Sequence, residues 1–161
     1  MKLSKDFTLQ ELSKSEIADR NNINNIPTAD HITNLVLLCQ YILQPVRSHF
    51  DKPVSITSGY RSPELCILIG SKPTSQHTFG QAADFKIAGV PNKVVSDWIV
   101  NTLDFDQCIL EFYKPNDGQA GWIHVSYNEK GANRKQILTF DGKRYENGLP
   151  EMKWQGGKVV E

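Results

Sequence analysis

Two histidines and an aspartate mark where this chain could hold a metal. His77 and Asp84 lie in Ser75-Gln76-His77-Thr78-Phe79-Gly80-Gln81-Ala82-Ala83-Asp84, and His124 follows in Trp122-Ile123-His124. Zn²⁺ takes nitrogen, sulfur and oxygen ligands in four-coordinate sites, and three protein ligands leave the fourth position to water or substrate. Two imidazoles and a carboxylate therefore form the donor set of a catalytic zinc. A histidine alone is more often a hydrogen-bonded structural residue, so the argument rests on the surrounding residues. Arg61, in Thr57-Ser58-Gly59-Tyr60-Arg61-Ser62-Pro63, supplies a guanidinium that can pair a substrate carboxylate or a developing oxyanion. Glu111 follows Cys108-Ile109-Leu110 and precedes Phe112, a poor place for a charge in a plain core strand. It is either the general base or a residue capping its strand at the solvent end. Ser75, Gln76 and Trp122 stand beside the ligands and are expected to contact substrate.

These residues need elements to bring them together. Gly80 permits a turn that a side chain would obstruct, and residues 81–87 then read as a strand carrying Asp84. Residues 122–127 read as another strand, in which Trp122, His124 and Ser126 share one face because side chains alternate. His124 can thus face Asp84 across a sheet. Residues 107–113 form a third strand, joined to the His124 strand by Lys-Pro-Asn-Asp-Gly-Gln-Ala-Gly, which suggests an antiparallel pair with Glu111 on the face of His124.

The helices supply the core. Thr8 and Glu11 form a capping box for a short first helix over residues 8–13. Ile32, Leu35, Val36, Cys39, Ile42, Leu43 and Val46 recur at helical spacing across residues 28–48, with Pro45 expected to bend or interrupt the helix near its end. Residues 54–58 read as a strand, and Ser62-Pro63-Glu64 as an N-cap and first turn. A second amphipathic helix over residues 91–103 is expected to bury Val94, Val95, Trp98 and Ile99. Asp141-Gly142 predicts a C-terminal hairpin between residues 134–140 and 143–145, followed from about residue 147 by an extended strap. His31 and His49, at the two ends of the long helix, are read as solvated or capping residues without chemistry. The order of elements predicts an α+β fold, mostly antiparallel, within one domain over residues 1–161.

Composition excludes several classes. The chain has 161 residues, 39% of them hydrophobic, enough for one core. Its 18 basic and 18 acidic side chains are scattered, so there is no basic footprint for nucleic acid. The apolar run at residues 35–39 is too short to span a bilayer, and the polar N-terminus lacks the apolar core of a secretory signal. Synthesis in the cytoplasm is the resulting expectation. Cys39, Cys66 and Cys108 lack zinc-ligand or redox spacing and are read as reduced thiols.

Ser58-Gly59-Tyr60-Arg61-Ser62, Ser75-x-His77-x-x-Gly80-x-Ala82-x-Asp84 and Trp122-x-His124 occur in an order and spacing that resemble a known family. It comprises the zinc D-Ala-D-Ala carboxypeptidases and L-alanyl-D-glutamate peptidases, which share a fold with the hedgehog signalling domain. The likeness begins near Phe7-Thr8-Leu9-Gln10-Glu11-Leu12, which resembles the opening of the phage and bacterial branch, and runs to about Tyr127. The resemblance implies a hedgehog/DD-peptidase-like fold with a central sheet flanked by helices. It also implies one Zn²⁺ on His77, Asp84 and His124, and the peptidoglycan stem peptide as substrate. Carboxypeptidase and endopeptidase action both remain open. A monomer is expected that reaches the wall after holin-dependent release or from a virion. The chain departs from the branch in carrying Cys66 where Asn is common and Ser71 where Gly is often found. Gly121, Trp122 and Ile123 occupy the positions before the last ligand where many members carry an acidic residue or histidine, and Glu111 is the best substitute. Without that base the alternative is a non-catalytic, zinc-containing structural or wall-binding module of a phage particle.

Overall fold

A computed structural model of the protein describes residues 1–151 and, for the backbone alone, 153–155 and 158–160. The first helices are set by their caps. Thr8 accepts from the Glu11 N–H while the Glu11 carboxylate accepts from the Thr8 N–H, starting α1 (Leu9–Ser13). Ser15 caps α2 (Glu16–Arg20). Thr28 caps α3 (Ala29–Leu38), where His31 Nδ1 accepts from the Thr28 N–H. The hydrophobic stripe predicted as one helix continues through a π-helical segment, Cys39–Leu43, into α4 (Gln44–Phe50). Pro45 has no N–H, and its ring crowds the carbonyl four residues earlier. The wider π turn just before it relieves that conflict, so accommodation comes upstream of the proline and the helical path continues.

Six strands form one sheet in the order β1-β2-β4-β3-β5-β6. They are β1 (Ser55–Ser58), β2 (Ala82–Lys86), β3 (Gln107–Glu111), β4 (Trp122–Ser126), β5 (Gln136–Phe140) and β6 (Tyr145–Asn147). Every neighbouring pair is antiparallel except β3 and β5. The fold is α+β, as expected. Directly opposed residues share a face, which sorts the sheet into two sides. Ala83, Phe85, Cys108, Ile123 and Val125 join Leu35, Leu38, Ile42, Leu43 and Val46 from α3 to α4 in the buried core. The other face carries Asp84, His124, Ile109 and Glu111 in adjacent register.

The remaining helices are α5 (Pro63–Leu68), capped by Ser62, and α6 (Asn92–Thr102). On α6, Val95 and Ile99 are buried as predicted, whereas Val94 and Trp98 are only half-buried. Trp98 instead stacks on His49 at 4.3 Å between ring centroids, and that histidine is exposed, as expected. Among the described residues no helix is long and apolar enough to cross a membrane. The predicted hairpin is present, with Phe140 opposite Tyr145. The expected strap lies partly outside the described residues; β7 (Lys153–Gln155) and β8 (Lys158–Val160) pair with each other.

The parallel pair is pinned by a polar clamp. Arg134 Nε and Nη2 each donate to the buried Asp106 carboxylate at 3.0 Å, as does the Arg134 backbone N–H, and Gln76 Nε2 donates at 2.9 Å. Burial alone would raise the Asp106 carboxyl, but these donors hold it below its ordinary value. A carboxylate so depressed adds stability above its unfolded pKa that disappears as pH falls through the folded one. Asp106→Ala is expected to cost about 1–3 kcal/mol at neutral pH, because Arg134 is half-exposed and recovers water while Gln76 and the backbone donor lose their partner. Denaturant melts should show that difference narrowing in acid.

Candidate metal centre

Each ligand candidate is delivered by a different local device. Ser75 caps a single 3₁₀ turn, Gln76–Phe79, and accepts from the His77 N–H; Gly80 ends that turn in the left-handed conformation at φ 71. A Cβ there would come within 2.4 Å of the His31 carbonyl oxygen, so the turn and α3 can meet only at glycine. Asp84 comes from β2 and lies opposite His124 on β4. Both sequence-based placements hold.

The three side chains converge in a nearly dry position, with 4%, 7% and 12% exposure for His77, Asp84 and His124. Their ligand atoms all lie within 4.8 Å of one another. His77 Nε2 is 3.5 Å, and His124 Nδ1 2.9 Å, from the same Asp84 oxygen, Oδ1. His77 Nδ1 lies 2.7 Å from the Gly59 carbonyl oxygen, which can only accept. The proton therefore sits on Nδ1 and the lone pair of Nε2 points into the cluster. Burial pushes the His77 imidazole below its ordinary pKa despite the attraction of Asp84, favouring the neutral form that a metal requires. For Asp84 burial acts to raise the pKa, but the two imidazoles outweigh it and hold the carboxyl well below its usual range. Two imidazole nitrogens and an ionised carboxylate fit a divalent metal with an affinity for nitrogen and oxygen.

Arg61 has a more defined place than the sequence allowed. Its Nη2 donates to Asp84 Oδ2 at 3.0 Å and its Nε to Ser58 Oγ at 2.7 Å. Ser58 reaches this position through a bulge at Thr57, which brings Ser58 opposite Asp84. Arg61 thus orients one carboxylate oxygen while the other faces the imidazoles. Such partners of metal ligands typically matter about 10–100-fold in metal affinity. Arg61→Lys should weaken zinc binding by about that factor, measured in competition with a chelator, because a point charge cannot keep both contacts.

Glu111 lies opposite Trp122 on the same face as His124, one alternation along β3. Burial raises its carboxyl above the ordinary value, against the opposing pull of His124. The other predicted contact residues have internal partners: Ser75 caps the turn, Gln76 joins the Asp106 clamp, and Trp122 packs 5.0 Å from Phe112. Sequence reasoning missed the Gly59 carbonyl, Ser58 and the clamp. The Ser58-Gly59-Tyr60-Arg61 run pointed to that loop, whereas nothing near Arg134 signalled its pairing with Asp106. Cys39, Cys66 and Cys108 are buried free thiols, and burial pushes Cys39 and Cys108 up to about 12.

The Peptidase M15 family model matches residues 5–126, a span that includes all three clustered residues and Glu111. The chain belongs to the Peptidase M15 family. Among curated proteins none matches it. Members of this family are zinc peptidases, so membership supports a metallopeptidase acting on a peptide substrate.

Proposed function

We propose that this M15 protein is a zinc peptidase that hydrolyses peptide bonds in the peptidoglycan stem peptide, as a phage lysis enzyme or a virion-borne wall hydrolase. The observation that carries the catalytic reading is the placement of Glu111 on the same sheet face as the His77, Asp84 and His124 cluster. A zinc ion held by those three residues would polarise the scissile carbonyl and lower the pKa of an attacking water. The Glu111 carboxylate takes a proton from that water and returns it to the leaving amine nitrogen. Its half-buried position keeps the carboxylate poorly hydrated and hence more basic than one in water. Arg61 holds Asp84, and its guanidinium is the group we assign to a substrate anion or the tetrahedral oxyanion. The wall substrate rests on the resemblance of the Ser58 to Ser62, Ser75 to Asp84 and Trp122 to His124 segments to peptidases of D-residue peptides.

Incubation of the zinc-loaded protein with purified peptidoglycan tests this reading. New amino and carboxyl termini should appear in step with metal loading and stop with a chelator. Cleavage of ordinary L-peptides with the wall left intact would keep the peptidase and discard the wall substrate.

A further inference from the structure

The face that carries the ligands continues past His124. Ile109 is the β3 partner of His124, Leu138 is the β5 partner of Ile109, and the next row sets Glu111, Phe140 and Tyr145 side by side. Above these strands runs a groove of about 400 Å³, within the size range of ligand pockets. Ile109, Leu138 and Tyr145 line one side, and Ser71, Lys72 and Ser75 from the segment leading to His77 line the other.

Both walls of the groove are tied through the backbone to elements that carry the clustered residues. Ile109 pairs with one imidazole ligand's residue, and Ser75 caps the turn that carries the other. Its far wall is fixed by packing: Phe112 lies 5.0 Å from both Trp122 and Phe140, and Phe140 stacks on Tyr145 at 4.4 Å. Lys72 is the sole charged residue in the lining, which contains no acidic side chain. It takes part in none of the ion pairs among the described residues. A cation beside apolar wall residues, in a lining without acidic side chains and with Glu111 beyond Tyr145 at its far edge, favours a ligand that brings a carboxylate to the Lys72 side and small apolar groups to the strand side.

We propose that this groove is a subsite for a carboxylate-bearing segment of the peptide substrate, with Lys72 as the residue that selects the charge. The proposal rests on the wall-peptidase reading for the identity of the peptide. The shared chemistry is a carboxylate held near Lys72 while methyl and methylene groups cover Ile109, Leu138 and Tyr145. That carboxylate is either the terminal group of the chain or the α-carboxylate of a γ-linked D-glutamate.

Calorimetric titration of zinc-loaded wild-type, Lys72→Gln and Lys72→Arg proteins with three forms of a synthetic wall pentapeptide distinguishes these sources. One form is unmodified, one is amidated at its C-terminus, and one carries D-isoglutamine in place of D-glutamate. The wild type should prefer the unmodified form about tenfold over the analogue lacking the relevant carboxylate, the size of one charge-assisted contact. Lys72→Gln should erase that preference and Lys72→Arg should restore most of it. Equal wild-type affinity for all three forms, no binding of any, or a preference that survives in Lys72→Gln overturns the subsite. Turnover of the same peptides separates the two readings. Preference without cleavage removes the peptidase and leaves the subsite, while cleavage without preference removes the subsite alone.

Discussion

Replacing His124 with alanine should reduce bound zinc from about one equivalent to near none and abolish hydrolysis. Loss of one of three protein ligands weakens a site by more than the ~10–100-fold typical of losing a supporting partner. Little else should move. His77 keeps its Gly59 contact and Asp84 keeps Arg61, so the remaining donors stay in place without completing the site. The His124 side chain is 12% exposed and lies on the site face rather than in the helix-packed core. Metal analysis after dialysis, with circular dichroism as the fold control, checks this result. Full zinc occupancy in the folded variant would move the metal away from this cluster.

The part of that centre legible in the sequence is the part that local periodicity determines. Alternation along residues 122–126 was enough to put Trp122, His124 and Ser126 on one side, and the register of β2 with β4 then places Asp84 opposite His124. Gly80 and Ser75 signalled a turn because a left-handed residue and a cap have strong local preferences. The features that escaped depend on contacts between distant segments. Arg61 was legible as a cation near the site, but its grip on Asp84 requires the β1 bulge, a property of strand pairing that four residues do not reveal. The parallel union of β3 with β5 is likewise invisible locally; it depends on Arg134 meeting Asp106 across 28 positions. Pro45 announced a disturbance in the long helix, while its resolution as a π segment depends on how Cys39, Ile42 and Leu43 remain in the core.

Glu111→Gln should lower turnover by about 10²–10⁴-fold while leaving metal content and peptide binding close to wild type. The substitution preserves size and hydrogen bonding but removes the basic carboxylate. Glu111 is not one of the three clustered ligand residues, so zinc should remain. Its replacement also relieves the burial of a charge, which argues against a folding defect as the cause of lost activity. The acidic residues just before β3 offer poor substitutes. Asp106 is filled by Arg134 and Gln76, and exposed Asp104 lies 3.8 Å from Lys135. Measurement of new termini released from peptidoglycan, alongside zinc content and binding of wall fragments, separates the alternatives. Hydrolysis at the wild-type rate would remove Glu111 from the proton path. A wild-type protein that binds both zinc and wall fragments yet releases no termini would instead favour a non-catalytic wall-binding module, with Glu111 as the half-buried end of a strand.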